Sequence, residues 1–412
     1  MRDHRHFISL RQLRAFDAVA RHESVSAAAK ELHVSQPAVT QAIANLERQL
    51  SVALLERRRT GSYVTGLGAV LLPRVRRLLA HIQEALCDPL VGASFADRET
   101  VGSLEIKITG THIRSLIAVA DGGSFERAAR RLEISQPSLH RSARDLERVL
   151  RRTLYRRTAR GVSPTLQAIE LARRLKVALR EIQYGIDEIQ AAQGIFTSRI
   201  TIGNIAHSDA HLLSAALNKL LALYPNAIVQ VLGGRYEALL EDLRGGDLDF
   251  LFGVLRRPDW ATDVDEELLF SNPYAVVVRR EHPLAQRRKV TPRDLAAYDW
   301  ILPARGAPRR EAFEGIFAGS DFAPKVSIET TSAAIYRTIL ATSDRITLLS
   351  RLEAQFDNNA GRLTTLPFDS AALSRQEGVA TRVGWEPTRI HREFLELLRR
   401  QAQDFQRSRP AA

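Results

Sequence analysis

The chain has 412 residues, 45% of them hydrophobic and 26% charged, which is ordinary for folded proteins but too long for a single core. No apolar run approaches the roughly 18 residues of a membrane-spanning helix, so no membrane partner is expected. Residues 1–10 lead into no long apolar segment of an export signal, and the one cysteine, Cys87, cannot form an intrachain disulfide; both features suit a cytoplasmic location. Residues 1–200 hold 32 Lys and Arg against 20 Asp and Glu, so the whole net charge of +12 lies in that half. A basic half joined to a neutral one is the footprint expected of a nucleic-acid-binding unit carried by something that need not touch phosphate. A solubilising surface bias is the bland alternative.

In chain order, Leu13, Phe16, Val19 and Ala20 fall on one face of a first helix. Ser24 is placed to cap a second helix that buries Ala28, Ala29 and Leu32. Ser35 caps a third, with Pro37 in its first turn and Val39, Ile43, Leu46 and Leu50 on its core face. Gln36, Thr40, Gln41 and Asn45 stay off that face, and they are long donors and acceptors of the kind that read base edges in a major groove. The basic loop with Arg57, Arg58 and Arg59, closing at Thr65, reads as a wing set on phosphates. A helix over 67–86 and a linker rich in small and acidic residues, 88–103, come next.

The same module then recurs at an offset of 100 over residues 113–165. Ala18-Val19-Ala20 reappears as Ala118-Val119-Ala120, Ser24 as Ser124, and Leu46-Glu47-Arg48 as Leu146-Glu147-Arg148. The third helix of this copy opens with Ser135, Gln136 and Pro137 and presents His140, Arg141 and Arg144; its wing carries Arg157 and Arg160. Two copies cannot build a solenoid, so each is a small domain. A lone polar helix face is most simply a solvated surface, but its duplication with matched turn residues and a basic wing favours a DNA-reading role. A long helix over 166–193 follows. Its apolar stripe of Leu171, Leu175, Ala178, Leu179, Ile182, Ile186 and Ile189 fits an antiparallel partner helix.

From Arg199 short β-branched runs alternate with helical ones, the signature of a parallel α/β sheet. Strands are expected over 200–203, 227–231 and 250–255, with helices over 207–224 and 236–244.

These residues together resemble the LysR-type regulators. The set that carries the likeness is Leu13 to Phe16, Ser24 to Ala29, Ser35-Gln36-Pro37, Leu46-Glu47, Leu54 to Arg57, and Thr65. Relatives carry one such module where this chain has two, and the second departs from the pattern at Ile113, Leu116, His140, Ala143 and Arg151, the last where many relatives have Gly. The resemblance implies an α/β protein overall. Two N-terminal all-α winged helix-turn-helix modules occupy residues 8–66 and 111–165, with a short helix and linker between them at 67–110. A dimerisation helix at 166–195 and a two-lobed effector domain at 196–405, like periplasmic solute-binding proteins, complete the chain.

The resemblance further implies double-stranded DNA, a small-molecule effector, a homodimer or homotetramer, and RNA polymerase as partners. The stretch from Asp299 to Phe313 looks closest to regulators of sugar-uptake and aromatic-acid genes, which implies an acidic sugar or aromatic acid as effector. Carried over one position at a time, the effector site takes Ala206, His207 and Ser208 after the first strand and Arg235 at a helix start. Gly253, near the crossing to the second lobe, joins it with Arg309, Thr331 and Ser332 at two further helix starts. Arg235 is the residue expected to meet a carboxylate, because a guanidinium offers a two-pronged donor; a solvent-exposed arginine is the alternative.

An enzyme is disfavoured: the sequence holds no GxGxxG, no GxxxxGK[ST], no metal-ligand spacing and no cofactor motif. A ligand-sensing adaptor with no DNA-reading role is the remaining rival.

Overall fold

The computed structural model describes residues 8–87, 106–158, 161–205, 210–256, 260–322 and 324–407. The chain divides into two units, residues 1–197 and 198–412.

In the first unit, serines set the helix starts. Ser9, Ser24 and Ser35, all with extended backbone, accept N–H groups at the heads of α1 (Leu10–His22), α2 (Val25–Glu31) and α3 (Gln36–Leu50). A helix leaves those donors without partners, and the hydroxyls satisfy them. The hairpin of β1 (Leu55–Arg58) and β2 (Gly61–Val64) is anchored by Glu47, whose Oε1 accepts the Leu54 and Leu55 N–H groups at 2.8 and 3.1 Å. The helix α4 (Gly66–Cys87) follows.

The second copy repeats this. Thr109, Ser124 and Ser135 cap α5 (Gly110–Gly122), α6 (Phe125–Leu132) and α7 (Gln136–Leu150). Its hairpin is β3 (Tyr155–Thr158) and β4 (Gly161–Pro164), held by Glu147 at the same 2.8 and 3.1 Å. The motif's glutamate is therefore a hairpin anchor in both copies. Thr165 then caps α8 (Leu166–Ala192). Ser51 and Arg151, ending α3 and α7, have φ of 56° and 52°, a left-handed conformation that glycine adopts freely and a side chain at a cost of about 1–2 kcal/mol.

The apolar stripe of α8 meets α4 of the same chain. Leu71, Val75 and Leu78 are each less than 1% exposed, and the positions 100 residues on, Leu171, Leu175 and Ala178, are at most 1% exposed. All six lie in one core that also holds Leu13 and Phe16 from the first module and Ile113 and Leu116 from the second. Arg74 Nη1 donates to Glu181 Oε2 at 3.0 Å and its Nη2 to Glu188 Oε1 at 2.8 Å, while Arg77 donates to Glu181 at 3.2 Å. Since the α8 partner number falls as the α4 number rises, the two helices run antiparallel. A Cβ at Gly185 would lie 2.7 Å from Leu71 Cδ1, so the absent side chain is what lets the helices approach. Within this chain the antiparallel partner of the stripe is α4, which carries the same apolar spacing.

The second unit contains, in order, β5 (Arg199–Ile205), α9 (Ala210–Leu223), β6 (Ile228–Gly234), α10 (Tyr236–Arg244), β7 (Phe250–Val254) and β8 (Val264–Ser271). Next come β9 (Tyr274–Arg279), α11 (Pro292–Ala296), β10 (Trp300–Leu302), α12 (Pro308–Ile316), β11 (Val326–Glu329) and α13 (Ala333–Ala341). The unit ends with β12 (Thr347–Ser350), α14 (Arg351–Asn359), β13 (Leu363–Thr365), β14 (Gln376–Arg382) and α15 (Arg389–Arg407). One lobe is built on a five-stranded sheet of order β6-β5-β7-β14-β8, and the other on β12-β9-β13 and β10-β11. The first sheet is mixed, since β5, β6 and β7 are parallel and β14 runs antiparallel to β7 and β8. The strand that returns from the second lobe enters from the opposite end.

This topology corrects one expectation. Gly253 is a buried position inside β7, opposite Gly378, and the chain stays in the first lobe through β8. The crossing lies instead at Asn272-Pro273, between β8 and β9.

Replacing Arg74 with alanine leaves Glu181, 3% exposed, with half its compensation gone. The expected outcome is a loss of about 3 kcal/mol in the first unit, the usual cost of breaking a buried ion pair from one side, read as an earlier transition in scanning calorimetry.

Candidate nucleic-acid interface and ligand cleft

The polar face of α3 remains in solvent. Ser35, Gln36, Pro37 and Gln41 are exposed, while Thr40 and Asn45 are half-buried. Gln41 Nε2 donates to Asn45 Oδ1 at 2.9 Å, and Arg48 donates to the same oxygen at 2.9 Å, so these amides form one surface array. Arg57, Arg58 and Arg59 are exposed on the wing; Arg58 pairs with Glu56 and lies over the Tyr63 ring. The wing is tied to the helices by Ser62, whose N–H donates to the Glu23 carbonyl at 2.8 Å.

On α7, Ser135, Gln136, Pro137, Arg141 and Arg144 are exposed, as is Arg157 on the second wing. Arg160 lies outside the described residues. His140 differs from the others because its ring stacks on Phe125 with centroids 4.2 Å apart and planes within 4°. Tyr155 meets Phe125 edge-on at 5.1 Å, and burial, reinforced by Glu147, pushes its phenol well above the ordinary range. The second module's departures from the first collect here. A cavity of about 570 Å³ between α7 and the wing is lined by Phe125, His140, Arg144, Arg152 and Tyr155, where the first module has Val25, Thr40, Ala44, Val52 and Leu55.

In the second unit, three of the helix starts singled out from the sequence share a property. The N-cap residues of α10, α12 and α13, namely Arg235, Ala307 and Ser332, make no side-chain cap hydrogen bond. Their first-turn N–H groups therefore suit an anion. Arg256 ties two of these starts together across the lobes, with Nη1 donating to Glu237 of α10 at 2.9 Å and Nη2 to the Gly306 carbonyl at 3.2 Å.

Arg309 is only 2% exposed. It reaches Glu353 at 3.4 Å and lies 5.5 Å from the centre of the Tyr336 ring of α13. Among the described residues, neither its Nε nor the Tyr336 hydroxyl has a hydrogen-bond partner. Burial, reinforced by the Glu353 carboxylate and opposed by Arg309 and Arg337, raises the Tyr336 phenol, which stays a neutral donor. Arg235, by contrast, has a side chain 86% exposed and only a loose 3.7 Å contact with Glu237. Thr331 is exposed beside the half-buried Ser332, and Ala206, His207 and Ser208 lie outside the described residues.

Sequence reasoning missed the groups at the lobe crossings. Arg375 pairs with Glu377 at 2.6 Å, both at most 1% exposed. Asn272 donates to Glu377 at 2.9 Å, and the Arg375 guanidinium lies over the Tyr274 ring at 5.0 Å. The two chain crossings, 272–273 and 375, are thereby locked to each other. A buried Arg-x-Glu in a run of mixed polarity gives no periodic signal, which is why it went unseen. Among the described residues no group of three or more His, Cys, Asp or Glu could hold a metal ion.

Comparison with known proteins agrees with this division. Residues 10–69 and 111–168 each match the bacterial regulatory helix-turn-helix protein, lysR family, and residues 194–403 match the LysR substrate binding domain. The HTH-type transcriptional regulator GalR of Pseudomonas putida is 29% identical over 377 residues, covering 91% of this chain and 93% of that protein. An alignment that long cannot avoid either module. The HTH-type transcriptional regulator PcaQ of Agrobacterium fabrum is 28% identical over 285 residues, covering 68% of this chain and 91% of that protein. The structure of full-length OxyR from Pseudomonas aeruginosa superposes with a TM-score of 0.55 at 20% identity, over 71% of this chain and 94% of that one, which supports the fold. The chain belongs to the LysR family of DNA-binding transcriptional regulators, with two helix-turn-helix modules ahead of an effector-binding domain.

Proposed function

We propose that α3 and α7 are the base-reading helices. Ser35, Gln36, Pro37, Thr40, Gln41 and Asn45 face one stretch of major groove, and Ser135, Gln136, Pro137, His140, Arg141 and Arg144 face another. Arg57, Arg58, Arg59, Arg157 and Arg160 hold the flanking phosphates. What carries this reading is the exposure, on two separately capped helices, of polar side chains flanked by exposed wing arginines.

The switch, in this proposal, is a small carboxylate-bearing molecule, an acidic sugar or aromatic acid, held between the lobes. The supporting features are the uncapped starts of α12 and α13, which carry Arg309 and Tyr336, and the Arg256 link from the start of α10 to Gly306. Arg235 closes over the ligand from the solvent side, with Ser332 and Thr331 at the third helix start. Such a regulator works in the cytoplasm, catalyses nothing, and passes its state to RNA polymerase. Its homodimer or homotetramer forms through the second unit, where Leu221 and Leu223 of α9 and Ile228 and Val231 of the edge strand β6 are exposed.

Changing Gln36 and Thr40 to alanine is expected to erase part of the protein's footprint on its own promoter, and changing Gln136 and His140 another part. Footprints unaltered by both pairs would remove these helices from base reading. Arg235→Ala is expected to abolish the footprint's response to a panel of acidic sugars and aromatic acids while moving sensor stability by under about 0.5 kcal/mol, as exposed positions do. Arg309→Ala, which empties a buried site and leaves Glu353 only Ser350 and Arg337, is expected to lower the second unit's stability by about 3 kcal/mol in the same calorimetric scan.

A further inference from the structure

The antiparallel packing of α4 and α8 relates the two modules by an approximate two-fold axis, because equivalent positions of the repeat, 71 and 171, 75 and 175, 78 and 178, are buried in the same seam. This is the relation that two copies of a one-module chain would adopt in a symmetric dimer. Here the two halves are not the same. Arg74 is bridged to Glu181 and Glu188, but the residue 100 positions before Glu181 is His81, and Arg174 pairs with Glu170 of its own helix. The buried Glu181 arm of this bridge can therefore come from α8 and not from another α4, which carries His81 at that position. Tethering raises the local concentration of α8 around α4 to the order of millimolar, which favours the unlike pair.

The reading faces differ as well. That of α3 is made of uncharged amides and a hydroxyl, Gln36, Gln41, Asn45 and Thr40, whereas that of α7 carries Arg141 and Arg144 beside Gln136. Glutamine and asparagine match the paired donor and acceptor of adenine, and arginine the paired acceptors of guanine. We infer that one chain reads two dissimilar, neighbouring DNA elements, an adenine-bearing one under α3 and a guanine-bearing one under α7, so that its operator unit is not an inverted repeat of one motif. This rests on the proposed base-reading role of the two helices, and it adds that unlike modules are neighbours.

The test is selection of duplexes from a random library by the full-length chain, repeated with a Gln36→Ala, Gln41→Ala variant and an Arg141→Ala, Arg144→Ala variant. All four side chains are exposed, so the variants keep their cores. The expected result is two different elements centred about 10 base pairs apart, one turn of the duplex. The first variant loses the requirement only at the adenine-bearing element, the second only at the guanine-bearing one. Replacing either element by a copy of the other lowers affinity at least about tenfold. Enrichment of two copies of a single element as adjacent inverted repeats, or loss of the same element in both variants, overturns the inference while leaving base reading intact. Failure to enrich any sequence, with no salt-dependent binding to any duplex, defeats the base-reading proposal itself.

Discussion

The N-terminal unit depends on the seam between α4 and α8. Each module alone is a three-helix fold of about 55 residues, a size at which one core supplies little surplus stability. The second module's core and the Leu13–Phe16 side of α1 continue directly into the seam, while Val19, Ala28, Val39 and Ile43 keep a smaller core within the first module. The Arg74–Glu181–Glu188 bridge adds little net stability, since desolvating three charges roughly offsets their attraction. Its effect is on register. Sliding α4 by one turn would pull Arg74 away from Glu181 and Glu188 and take Leu71 out of the space kept open by Gly185. Because each module is packed into the same core as its own seam helix, fixing the seam also fixes how the two reading helices are related.

The effector unit rests on a comparable constraint at a different place. Two chain crossings join its lobes, and Asn272, Glu377, Arg375 and Tyr274 tie them together in a buried network. A second link between the lobes is made by Arg256, which joins Glu237 of α10 to the Gly306 carbonyl ahead of α12. A ligand shifts an equilibrium between lobe arrangements only by binding one arrangement better than another.

Much of this was legible in the sequence wherever local chemistry decides the outcome. Ser24 and Ser35 marked their helix starts because a hydroxyl before an apolar period has one common use. The repeat at offset 100 exposed both modules, which a single pass for motifs would have blurred. What was not legible depends on partners distant in the chain. The stripe on α8 announces a partner without saying which, and Leu71, Val75 and Leu78 were equally good candidates. Nothing in the spacing of Arg309 distinguishes a buried arginine over Tyr336 from a solvent-facing one, whereas Arg235, the more conspicuous by position, proved to be the exposed one. The crossing at Asn272-Pro273 was placed near Gly253 by carrying positions over from relatives, whereas Gly253 lies opposite Gly378 inside the sheet.

Joining two modules in one chain also changes what substitution can do. In a dimer of identical chains every change appears twice, so a residue that suits one half of a site must suit the other. Here Val25 and Phe125, Thr40 and His140, or Ser51 and Arg151 occupy equivalent positions and differ. The differences are concentrated. His140 stacks on Phe125 at the border of the polar face of α7, while Arg144, Arg152 and Arg156 gather around the cavity beside it. The left-handed Arg151 accepts backbone strain at a position where glycine would carry none, in exchange for one more cation on that rim. The polar face of α7 thus carries guanidinium groups where that of α3 carries amides, a difference that symmetric pairing would have imposed on both halves at once.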